Sequence, residues 1–331
     1  CLAYSFYHQI TPLVDLQAYD NIAMNIVNGN GYRELVEGDI LFDKAIVRVG
    51  PLYEYFLAGI YSIFGHHYEI VWIIQALLHV IGAWLIYLTC LKLFSTSENK
   101  HRIALWASAF FAFYPDLIEG VAMLQSENLY LFLVILAFYL FFKYFNNINI
   151  YSTSLLGFVF GIATLARPPV LFIIPVILFY YYKKKKIAQA ILFFLMLLLV
   201  FTPWTVRNYN TYDEFIPFGT AGGFNFWIGN YHGANGEQEP PQESRDFLAE
   251  HGSIAIQGES IKQFKNFLIE HPFEFIKLSV LRVNKYFSIA RPMGFWFYQT
   301  GLPQLIFILS SALASIILFV LSLGGIIKSF K

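Results

Sequence analysis

Charge is the scarcest ingredient of this chain. Asp, Glu, Lys and Arg make up 13% of its 331 residues against 57% hydrophobic ones, and the mean hydropathy is +0.54. A soluble domain carries roughly 25% charged residues, so a water-solvated globule is excluded for most of the sequence. The charge present balances, 22 basic against 22 acidic residues, which leaves no dense cationic face and excludes nucleic acid as a partner. Cysteine is nearly missing: Cys1 stands at the terminus and Cys90 inside an apolar run, so no disulfide framework follows. A leading cysteine suits a lipidated end, but no signal peptide precedes it, and a chain cut from a longer protein is the simpler expectation. The eight histidines show no HxxxH or similar spacing; His66 and His67 are adjacent and His79 is alone in an apolar run. No metal site is argued from them, and no cofactor is expected, a divalent metal being open but unsupported. There is neither a glycine-rich phosphate loop after a strand pattern nor a GxSxG, so nucleotide binding and serine hydrolysis lack support.

What the chain does have is long apolar runs, at about 69–94, 103–119, 128–145, 152–166, 169–182, 187–203 and 304–327, with Leu2 to Ile10 resembling the last turns of one more. Each is long enough to cross, or nearly cross, ~30 Å of hydrocarbon. Lysines mark alternate connections: Lys92 and Lys100 with Arg102, then Lys143, then Lys183 to Lys186, and finally Lys328 and Lys331. By the positive-inside rule these are cytoplasmic. Alternation then puts residues 11–68, 120–127, the turn at 167–169 and the long segment 204–303 outside. Lipid demands that every span satisfy its own backbone, and the ten-residue alternation of a barrel is absent. The expected fold is all-α, a multipass transmembrane helical bundle in a cell (inner) membrane. It divides into a core of residues 1–203 with first outer loop 11–68, an outer segment 204–303, and a last transmembrane helix in 304–331.

The first outer loop holds two amphipathic patterns. Leu16 to Val27 puts Tyr19, Ile22, Ala23, Ile26 and Val27 on one face before Gly29 and Gly31 stop it, and PLYEYFLAGIYSIFG runs from Pro51 to Gly65. Both suit interfacial helices better than spans. The outer segment opens with GTAGGFNFWIGN, passes the acidic loop ANGEQEPPQESRD and returns through HPFEFIKLSVLRVNKYFSIARP, whose interleaved charges suit a helix at the headgroups.

Polar residues gathered beside a bilayer are candidates for function. On the outer side stand Asp15, Glu127, and Asp116 with Glu119. Asp15 also suits the N-cap of a helix starting at Leu16, and Glu127 suits the positive end of a helix dipole. Arg48, Arg167 and Arg207 lie at outer boundaries, and a guanidinium fork matches phosphate oxygens. An arginine at a span end also simply snorkels to headgroups, a reading at least equal to a site role for Arg48 and weaker for Arg167 and Arg207.

The order of DLQAYDNIAMNIVNGNGY, RVGPLYEYFLAGIYSIFG, LQSENLYLFL, GFVFGIATLARPPVL and TPWTVRNYNTYDEFIPFGTAGGFNFWIGN resembles the integral-membrane glycosyltransferases of the GT-C class, in the protein-mannosyltransferase and aminoarabinose-transferase-like superfamily. The similarity spans about residues 11–230. It implies a GT-C-like fold, a polyprenyl-phosphate sugar as donor, and an active site at the outer, periplasmic face. By motif position it implies Asp15 as catalytic base, Glu127 as a second site acid, and Arg167, Arg207 and Arg48 as donor-phosphate ligands. Tyr19, Tyr53 and Asn208 fall in the implied substrate pocket. Two departures accompany it: family members begin with a complete first span and continue through further spans, so the chain is expected to be a fragment, and Asp15 is followed by Leu16 where several relatives have Asp-Glu, which weakens any metal proposal.

The implied chemistry is a single displacement that inverts the anomeric carbon, with a carboxylate removing the acceptor's proton and fixed cations meeting the departing phosphate. The implied partners are the membrane, a lipid-linked sugar donor and an acceptor that is a glycan, lipid or protein offering a hydroxyl or amine. The competing class is a transporter or lipid flippase, for which midplane charges and repeated halves are the signature; neither is evident.

Overall fold

Prolines and glycines punctuate the chain where its helices start and stop, and a computed structural model shows the result. It describes residues 1–48, 50–237, 239–289 and 299–329. Residue 331, and residues 290–292 at the end of the headgroup stretch, lie outside the described residues. The described residues contain no strand. Their helices are α1 (Leu2–His8), α2 (Asp15–Val27), α3 (Leu52–Phe64), α4 (Tyr68–Leu93), α5 (Lys100–Ala112), α6 (Pro115–Val121), α7 (Ser126–Lys143), α8 (Ile150–Ala166), α9 (Ile174–Lys183), α10 (Ile187–Tyr212), α11 (Ala221–Gly229), α12 (Gln242–Glu270), α13 (Pro272–Tyr286) and α14 (Leu302–Ser329). Two 3-10 turns, Ala45–Val47 and Pro168–Ile173, complete them.

Helices α4, α7, α10 and α14 are long and apolar enough to cross a membrane, and α8 and the Pro168–Lys183 stretch are shorter apolar helices. Only 17–33% of each long span is buried within the protein. The rest presents side chains such as Leu77, Trp84, Leu195 and Val320 outward, a surface whose natural solvent is lipid. The chain is an all-α multipass bundle, as its composition requires.

Helix ends sort by charge. Arg167, at the end of α8, meets Ser126 and Glu127 at the start of α7. At the other end Lys184 lies over the rings of Phe145 and Tyr180, and the Tyr180 hydroxyl donates to the Phe145 carbonyl. The lysine ends of α7 and α9 therefore meet on one side of the bundle, and the acid and arginine ends on the other.

Several boundaries differ from the sequence expectation. The run at 103–119 is two helices, α5 and α6, because Pro115 forces Tyr114 into extended backbone (φ −67, ψ 120). The run at 169–182 begins as a 3-10 turn over Pro168 and Pro169 before α9 takes over. The first helix ends at His8, where Gln9 turns left-handed. Helix α10 does not stop at 203: it carries Pro203 in its interior and continues to Tyr212. The two helices expected between the first run and the run at 69–94 both form, α2 and α3, and neither has the length of a span.

Two features hold the bundle in register. Helices α8 and α10 touch through Gly157 and Gly161, where an added Cβ would sit 2.5 Å from the Phe193 carbonyl oxygen and 2.7 Å from Val200 Cβ. This G-x-x-x-G spacing lets two backbones approach closely in lipid. The buried Gln75 of α4 donates to the carbonyls of Val121 and Met123 (both 2.9 Å) and accepts from the Tyr53 hydroxyl (2.8 Å), while Asn128 donates to Gly120 O (2.7 Å). These bonds satisfy carbonyls freed at the α6–α7 break, where an unpaired group would cost about 1–3 kcal/mol, and they fix the start of α7.

Candidate active site

The chain turns at Val14 (φ 51, ψ −114), a β-branched residue in a disfavoured conformation, and α2 starts at the next residue. Asp15 is thus the first helical residue, with no capping hydrogen bond; the capping role considered for it does not form. Its Oδ1 accepts from Arg48 Nη1 at 2.5 Å. Oδ2 has no hydrogen bond among the described residues.

Arg48 is spoken for on both edges of its fork. Nε and Nη2 donate to Glu34, at 3.1 Å and 2.7 Å to Oε2, while Nη1 serves Asp15. Burial, which works against its charge, is outweighed by Glu34 and Asp15, so the guanidinium is held above its ordinary range. Glu34 is placed by Asp43, whose carboxylate accepts from the backbone N–H groups of Glu34, Leu35 and Ala45 at 2.8–3.0 Å. The reading of Arg48 as a free headgroup anchor does not match this geometry.

Just after Arg48, Gly50 passes so close to the end of α8 that an added Cβ would collide with the carbonyls of Leu165 and Ala166. This contact sets the Arg48 turn against Arg167. Pro168 keeps Arg167 extended (φ −155, ψ 121), and its guanidinium ion-pairs with Glu127 and donates to Ser126 Oγ at 3.3 Å. Asp15, Tyr19, Arg48, Gln125, Glu127 and Arg167 line one open cavity of about 380 Å³, completed by Phe224 and Asn225 of α11.

Below it lies a second layer. Tyr19 is 4% exposed, and its hydroxyl is pushed well up by burial and then by Glu54, Asp15 and Glu127, so it stays protonated. Glu54 of α3 is fully buried, and neither carboxylate oxygen has a hydrogen-bond partner. Burial pushes it up to about 8, against the weaker pull of the Arg48 charge. A value there favours the neutral carboxyl at pH 7.

The remaining sequence candidates lie elsewhere. Tyr53 packs edge-on to Tyr19, ring centroids 5.6 Å apart, but is fully buried on Gln75. Arg207 is not among the cavity residues. It donates to Tyr32 O (3.0 Å) and Asn208 Oδ1 (3.1 Å) and lies over the rings of Tyr32, Trp204 and Tyr212 at 5.2–5.5 Å. Asn208 is buried and donates to Ile216 O at 2.8 Å. Asp116 accepts from Ser311 of α14 at 2.6 Å, and Glu119 lies beside Tyr4 of α1; both are away from the cavity lining. Sequence reasoning did not single out Glu34, Glu54, Gln125, Phe224 or Asn225.

Residues 48–206, just under half the chain, match the model of the family described as dolichyl-phosphate-mannose-protein mannosyltransferase. Over that stretch the chain is similar to this family. The match supports a membrane glycosyltransferase of the GT-C type. The matched stretch of the glycosyltransferase includes Arg48, Tyr53, Glu127 and Arg167, while Asp15 and Tyr19 precede it and Arg207 and Asn208 follow it. No curated protein and no solved structure matches the chain.

Proposed function

We propose that this glycosyltransferase moves a sugar from a polyprenyl-phosphate donor to an acceptor hydroxyl or amine at the outer membrane face, with inversion at the anomeric carbon. The observation that carries the reading is the single cavity holding Asp15, Arg48, Glu127 and Arg167. Such a donor keeps its tail in the bilayer and its phosphate at the surface, which suits a cavity at the end of the bundle opposite the lysines. The family's described donor, dolichyl-phosphate mannose, makes a mannose-bearing lipid the first to test.

Asp15 is the general base. Arg48 grips one carboxylate oxygen, which fixes the group's orientation and leaves Oδ2 to accept the acceptor's proton as the new glycosidic bond forms, a contribution of roughly 10²–10⁴-fold. The phosphate leaves as an anion and needs no acid, only fixed positive charge. Arg167 supplies it, exchanging Glu127 for a phosphate oxygen when the donor enters. The Tyr19 hydroxyl is a further donor in the cavity wall. Arg207, its fork already engaged, supports Tyr32 and the end of α10 from behind. The test is transfer in membranes from a panel of radiolabelled polyprenyl-phosphate sugars, with the product's anomeric configuration read by NMR. Transfer with inversion is expected; retained configuration overturns the single displacement, and no transfer from any donor in the panel overturns the donor class.

A further inference from the structure

Away from the cavity, three side chains able to bind metal come together in the outer segment. His232 in the bend after α11, His271 between α12 and α13, and Glu274 in the first turn of α13 each offer one ligand atom, and the three atoms lie within 4.8 Å of one another. His232 Nδ1 is 2.9 Å from Glu274 Oε2. The rings of His232 and His271 stack at 4.2 Å, tilted by 20°.

The donor set, two imidazoles and a carboxylate, is that of zinc-class ions, and three protein ligands leave a fourth position for water. Zn–N and Zn–O bonds of about 2.1 Å place tetrahedral ligand atoms about 3.4 Å apart. His232, with 66% of its side chain exposed, is free to close the difference. The rest of the segment is already fixed to α13: Arg282 donates to Asn230 Oδ1 at 2.9 Å, and Lys285 donates to Asn235 O at 3.1 Å and pairs with Glu237. The ligands thus come from two stretches whose separation is set before any ion binds, which lowers the cost of binding.

We propose that His232, His271 and Glu274 bind one divalent zinc-class cation that pins the segment after α11 to the start of α13. Helix α11 carries Phe224 and Asn225 of the cavity wall, so the ion stiffens that wall from outside without touching the reacting atoms. The site was hidden in the sequence because its local part is only the i, i+3 pair His271 and Glu274, and the third ligand lies far upstream.

The test is zinc titration of the full chain in detergent after chelator treatment and desalting, by competition with a chromogenic chelator. One zinc per chain is expected, with His232→Ala and His271→Ala each weakening it by about tenfold or more and a His66→Ala/His67→Ala control leaving it unchanged. Circular dichroism checks that the variants fold, His232 being too exposed for its loss to unfold the chain. Zinc should also slow proteolysis of the wild-type 230–241 segment and not that of His232→Ala. Substoichiometric zinc in the wild type, or equal affinity in His232→Ala and His271→Ala, overturns the proposal.

Discussion

Asp15 and Arg48 form one working unit, because Arg48 bonds Glu34 with one edge and Asp15 with the other. A lysine at 48 keeps the charge but has a single ammonium in place of the fork. Arg48→Lys is therefore expected to lower kcat by about 10²-fold, the cost of a misplaced catalytic group, with donor KM nearly unchanged; steady-state kinetics check it. Glu54 gives a separate residue-scale expectation. Its ordinary value is 4.5 and its folded value about 8, so between those limits the folded chain holds a proton that the unfolded chain has lost. Stability then falls as pH rises through that window and levels off above it. The full effect is on the order of 5 kcal/mol. Glu54→Gln should flatten the pH dependence of Tm between about pH 5 and 8 and raise Tm most at the alkaline end; an unchanged slope would show that Glu54 is not buried as a neutral acid.

Elements explain both what the sequence revealed and what it hid. Asp15, Glu127 and Arg167 were visible because each lies at the mouth of an apolar run, where charged residues are few. Glu34 carried no such signal, since its role comes from a loop folded around Asp43. Phe224 and Asn225 reach the cavity because α11 forms within the glycine-rich GTAGGFNFWIGN stretch. Arg207 was singled out for its boundary position and its PWTVRNY motif; the helix continues through Pro203, and the side chain lies among Tyr32, Trp204 and Tyr212. The α5–α6 break was missed because the apolar run was carried through Pro115 and Asp116. Between elements, the tightest seam is α8 against α10. Gly161→Leu would force a side chain into Val200, and overpacking of this kind costs about 1–3 kcal/mol or more. A fall in Tm with loss of transfer is expected, whereas Gly59→Ala, with open space around it, should leave both unchanged.

For the whole molecule, the account requires that the lysine end and the carboxylate end face opposite sides of a membrane. In a Cys90→Ser background whose terminal Cys1 is also replaced, Lys185→Cys should react with an impermeant maleimide only after membranes are opened from the cytoplasmic side, and Asn235→Cys without opening. Labelling of both from one side would contradict the topology. The most direct test of the central claim separates donor binding from transfer. In a photo-crosslinking assay with a polyprenyl-phosphate sugar, alongside transfer to acceptor, Asp15→Asn should bind the donor like the wild type but lose roughly 10²–10⁴-fold in transfer, while Arg167→Met should lose donor binding itself. An Asp15→Asn protein that transfers at the wild-type rate would contradict the account.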